Sequence, residues 1–109
     1  SNGTEVTVTL SSAVYSRRAV TSTLTSSVND LILGVSASAA LDIRLPAASG
    51  FTGGANFIVK DEAGNADNYN ITIRTSGSDR IDGEESIALE SPYGAVSIYS
   101  NGTDKFFVY

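Results

Sequence analysis

The stretch Asn56-Phe57-Ile58-Val59-Lys60-Asp61-Glu62-Ala63-Gly64-Asn65-Ala66-Asp67-Asn68-Tyr69-Asn70-Ile71-Thr72-Ile73 decides how this chain is read. It begins with the continuous apolar run Phe57-Ile58-Val59 and ends in alternation, with Tyr69, Ile71 and Ile73 separated by Asn70 and Thr72. Alternation at period two sends successive side chains to opposite faces of a strand, and a short continuous run is what a strand buried on both faces shows. Residues 60–68 between them are rich in Asp, Asn and Gly, the residues that tolerate left-handed backbone, and so read as a strand connection. The same acids raise the alternative of a calcium loop. Calcium loops place oxygen ligands at alternate positions. Here Asp61 and Asn65 lie four apart, Ala63 takes the position between them, and Glu62 is expected to face away. The reading is therefore a solvated turn, with no metal and no cofactor.

Working outward, the same alternation recurs in Val6, Val8 and Leu10, in Leu41, Ile43 and Leu45, in Ile87 and Leu89, in Val96 and Ile98, and in Phe107 and Tyr109. Turn signals fall between these runs at Gly50, Gly53-Gly54, Gly64, Gly77, Asp82-Gly83, Gly94 and Asn101-Gly102. Short strands at such regular spacing point to a sandwich, prism or barrel. Asn101-Gly102 is the clearest hairpin signal, since both residues accept the positive φ of a type I′ turn. Helix has little support: residues 13–24 are rich in Ser, Thr and Val, which favour extended backbone, and only a short helical turn at residues 36–40 is expected. The fold class is all-β, a small antiparallel β-sandwich or β-prism-like domain. Residues 1–27 form an N-terminal strand or linker region, an arm or a connection to a preceding domain, and residues 28–109 form the β-domain.

Composition narrows the function. A chain of 109 residues supports one domain, and an apolar set without Trp, Met or Cys makes a thin core that neighbouring copies would complete. The lack of His removes the commonest general base and transition-metal ligand, and the lack of Cys removes thiol nucleophiles and disulfides. A net charge of -5 disfavours nucleic acid and anionic membrane surfaces. No apolar run approaches the ~20 residues that span a bilayer, so no membrane insertion is expected.

Candidate sites are few. Asp79, Asp82, Glu84 and Glu85 suggest a carboxylate pair for glycoside cleavage, but four acids around a Gly-containing turn read as solvent-facing, and no catalytic residue is assigned. Asp42 and Arg44 share a strand face and are expected to pair with each other's neighbours. Tyrosine presents a flat face that stacks on sugar rings. Tyr93, set between Pro92 and Gly94, and Tyr15 are the candidate ligand-binding residues, while Tyr69, Tyr99 and Tyr109 are expected in core or intersubunit packing.

The order of the segments Leu45-Pro46-Ala47-Ala48, Lys60-Asp61-Glu62-Ala63-Gly64-Asn65-Ala66, Ile81-Asp82-Gly83 and Tyr99-Ser100-Asn101-Gly102-Thr103 resembles a β-rich module recurrent in tail-fibre, tailspike and other virion surface proteins of tailed bacteriophages. The resemblance covers residues 28–109. It departs from the module before the last strand, where Lys105-Phe106 stands in place of Asn-Trp. The resemblance implies a non-enzymatic domain at the virion surface, outside the cell. It would be assembled as a homotrimer, bound to other virion proteins and used for host attachment through a cell-surface polysaccharide. Two alternatives stand beside it: a monomeric carbohydrate-binding module of a bacterial secreted protein, and a purely architectural virion connector.

Overall fold

In the computed structural model, which describes residues 16–109, the alternating runs become strands that bury one side-chain parity. The strands in chain order are β1 (Arg17–Val20), β2 (Leu24–Thr25), β3 (Ile32–Val35), β4 (Leu41–Arg44), β5 (Asn56–Asp61), β6 (Ile71–Arg74), β7 (Arg80–Ile81), β8 (Ser86–Leu89), β9 (Ala95–Ser100) and β10 (Lys105–Val108). They form a six-stranded sheet, ordered β1-β3-β5-β9-β10-β7, and a four-stranded sheet, ordered β2-β4-β6-β8. Inward residues of both sheets make one core. Val20, Leu33, Val35, Val59, Ile98 and Phe106 come from the first and Ile43, Ile71 and Ile73 from the second.

The strands of each successive pair, β1–β2, β3–β4 and β5–β6, lie in different sheets, and the pairs stack in parallel. Val20 aligns with Val35 and then Asp61, while Leu24 aligns with Ile43 and then Ile73. The pair β8–β9 then lies against β6 and β5 in the opposite direction. An antiparallel sandwich or prism was expected from the rhythm of turns, but both sheets are mixed. The physical reason is that the segments at residues 36–40 and 62–70 carry the chain from one sheet to the other, so strands that become neighbours are separated by long crossovers. The pairs β1–β2 and β3–β4 draw on both sides of the boundary at residues 27 and 28.

Three local expectations are corrected. Residues 36–40 contain no helical turn, and among the described residues a 3-10 turn forms instead at Ala48–Gly50. The run Phe57-Ile58-Val59 is not buried on both faces, because Ile58 is only half-buried on the outer face of the six-stranded sheet. The two-residue turn with positive φ at both positions is Asp82-Gly83, at 48° and 84°, and not Asn101-Gly102, where Gly102 alone is positive at 80°. Asn101 instead heads a four-residue loop and accepts hydrogen bonds through Oδ1 from the N–H groups of Thr103, Asp104 and Lys105. The expected alternation at Val6, Val8 and Leu10 lies outside the described residues.

β5 links the two ends of the core. At its start Phe57 stacks on Phe51 with ring centroids 5.8 Å apart, and Phe106 meets both rings edge-on at 6.3 and 5.7 Å. Phe106 is fully buried. At the other end of β5 the last inward residue is Asp61, which is also fully buried.

Candidate functional site

Asp61 shares strand parity with Phe57 and Val59, and parity turns its carboxylate into the protein. Burial alone pushes the carboxyl pKa up, but backbone N–H groups aimed at the oxygens outweigh it and hold the group below its ordinary value. Oδ1 accepts from Ala63 and Gly64 at 3.2 and 3.1 Å, and Oδ2 accepts from Ala66 and Tyr93 at 2.9 and 3.0 Å. Four N–H donors fill the roughly four lone-pair sites of a carboxylate. This acid is therefore neither the solvated turn residue that was expected nor an available metal ligand. It is the peg on which the loop at residues 62–70 and the turn at Tyr93 both hang.

Glu62 does point outward, but not into free solvent. It lies across Gly34, where an added Cβ would come within 2.3 Å of its Oε2, and reaches Arg17 on β1. The guanidinium binds it through Nη2 and, at 3.0 Å, through Nε. That hydrogen bond holds the Glu62 carboxyl below the ordinary carboxylate range.

The peg fixes Tyr93. Its backbone is in the left-handed region at φ 59°, which a bulky residue adopts only when its surroundings impose it. Three contacts do so: the N–H bond to Asp61, the Lys60 ammonium donating to the Tyr93 carbonyl, and the seat of the ring over Gly64. A Cβ on Gly64 would meet ring carbons at 2.6 Å. Tyr93 as a residue stays 60% exposed, with the Lys60 ammonium 5.9 Å from its ring centroid. An aromatic face and an amino group are thus presented together on a rigid base.

The other named residues are dispersed. Tyr15 lies outside the described residues. Tyr69 is 37% exposed near the end of the loop that Asp61 holds. Tyr99 and Tyr109, expected in packing, sit on the outer face of the six-stranded sheet with Phe107, and Tyr99 lies 5.3 Å from Phe107 and 5.6 Å from Tyr109. A shallow groove lined by Leu31, Ile32, Asn56 and Ile58 lies on the same face, with Asn56 aligned to Tyr99. The acids at the Asp82 turn do not converge. Asp79 accepts from the Ala48 N–H at 2.8 Å, Asp82 from the Val108 N–H at 3.3 Å, and Glu85 lies 3.9 Å from Arg80. Asp42 pairs with Arg74 at 2.7 Å, and Arg74 is the cross-strand neighbour of Arg44.

The alternation of Phe107 and Tyr109 was legible, but it does not say which parity faces out, and Tyr99 joins them only through its pairing with Phe107. The seat of Tyr93 on Gly64 had no sequence signal, since it joins residues far apart in the chain. Comparison with protein-family models and with curated proteins finds no match for the chain.

Proposed function

We propose that this chain is a non-enzymatic attachment domain at the surface of a tailed-phage virion, part of a fibre, spike or head decoration, and that it contacts a host glycan through Tyr93. The observation that carries this reading is the exposed Tyr93 ring in a strained backbone conformation, anchored from beneath by a buried carboxylate. Backbone strain at an exposed aromatic concentrates at ligand contacts, and a preorganised ring loses little freedom on stacking against a sugar. The order of motifs across residues 28–109 supports the virion setting. The aromatic outer face at Tyr99, Phe107 and Tyr109 favours association with further copies, in keeping with a trimer.

Binding of the protein to a panel of bacterial surface polysaccharides tests the proposal. At least one should bind, and Tyr93→Ala should weaken that binding about tenfold or more, in line with loss of ~1–3 kcal/mol of ring contact, while thermal unfolding stays within a few degrees. Unchanged binding by a folded Tyr93→Ala protein, or no binding across the panel, counts against it.

A further inference from the structure

We infer that Asn101 is a self-modification site held closed by the fold, so that succinimide and isoaspartate form there only when the β9–β10 loop opens. In an Asn-Gly dipeptide the glycine has no Cβ to hinder approach of its nitrogen to the preceding side chain. The Gly102 nitrogen bonds to Asn101 Cγ, and the Cγ–Nδ2 bond breaks. The amide nitrogen departs with the Gly102 proton as ammonia. Water then opens the five-membered ring at either carbonyl, leaving aspartate or isoaspartate.

Burial does not prevent this, since Asn101 is exposed to water. The obstacle is the nucleophile. The Gly102 N–H donates at 2.9 Å to Ser100 Oγ, and the fully buried Ser100 in turn donates to the Ala48 carbonyl at 3.0 Å. Gly102 is also wedged against Gly53, whose nitrogen lies 2.8 Å from where a Gly102 Cβ would stand. The electrophile is pinned as well. Asn101 Oδ1 accepts three N–H groups at 2.9, 3.0 and 3.1 Å, and Nδ2 donates to Asp104 Oδ1 at 3.2 Å. Ring closure must undo both sets. The isoaspartate product lengthens the main chain by one methylene beside the Ser100–Phe106 pairing, whereas the aspartate product leaves the main chain unchanged.

The test follows Asn101 conversion by peptide mass spectrometry, in the 109-residue protein held in neutral buffer and in urea. The Asn2–Gly3 pair in urea serves as a same-dipeptide reference. Reaction through local opening predicts conversion in buffer at least about tenfold slower than in urea. Conversion in the folded protein within twofold of the rate in urea overturns the inference, and needs no variant. Ser100→Ala, which frees the Gly102 N–H, should raise the rate in buffer at least about threefold. A Ser100→Ala protein with unchanged circular dichroism that reacts no faster overturns the assignment of the lock to Ser100.

Discussion

Asp61 shows how one side chain reconciles two local demands. Strand parity sends it inward, where a bare carboxylate would be costly, and the following loop supplies N–H groups that would otherwise be unpaired. Asp61→Asn keeps the shape but sets an amide NH2 against two of the four donors. Chemical denaturation at neutral pH should show a loss of ~2–4 kcal/mol. The pH dependence has a definite sign. The folded-state value lies below the ordinary 3.8, so the contribution is fully present above about 3.8 and disappears as pH falls through the depressed value. The stability gap between Asp61→Asn and the natural protein should therefore narrow below that pH. A gap that stays constant into strong acid would show that charge is not the reason.

At the scale of elements, the Asp82-Gly83 turn illustrates a glycine with a defined task. Ile81 and Glu84 exchange hydrogen bonds of 2.7 and 2.8 Å across it, and both central residues are left-handed. Gly83→Ala should cost ~1–2 kcal/mol. Gly50→Ala, where φ is not positive and the nearest atom to a new Cβ is Val28 Cγ1 at 3.6 Å, should leave stability unchanged or raise it by up to ~1 kcal/mol. Thermal denaturation of both variants compares the two. Strand positions were legible because alternation is local: the pairs Leu41/Ile43, Ile71/Ile73 and Val96/Ile98 identify themselves. Strand direction was not, because Leu33 and Val59 pair at a sequence separation of 26 (59 − 33) and nothing in either run names its partner. Asp61 was legible in part. Extending the parity of Phe57 and Val59 by one step turns it inward, but its place in an Asp, Asn and Gly segment argues equally for solvent.

For the whole molecule, the direction of the first and last described strands matters most. β10 runs against β9 and β9 against β5, so β10 points the same way as β5, β3 and β1. A tensile load applied at residues 16 and 109 therefore draws β1 backward and β10 forward along one axis. The ladders between them, β1/β3, β3/β5, β5/β9 and β9/β10, are loaded in shear, so the hydrogen bonds of the ladder that fails must break together. Attachment points at residues 95 and 108 would instead unzip the β9–β10 hairpin one bond at a time. Single-molecule pulling should record one high-force rupture in the first geometry and a markedly lower force in the second. The reverse order would mean that the outer strands peel. With strands disposed this way, the domain resists being pulled along its strands, the mechanical demand placed on any tether between two moving bodies.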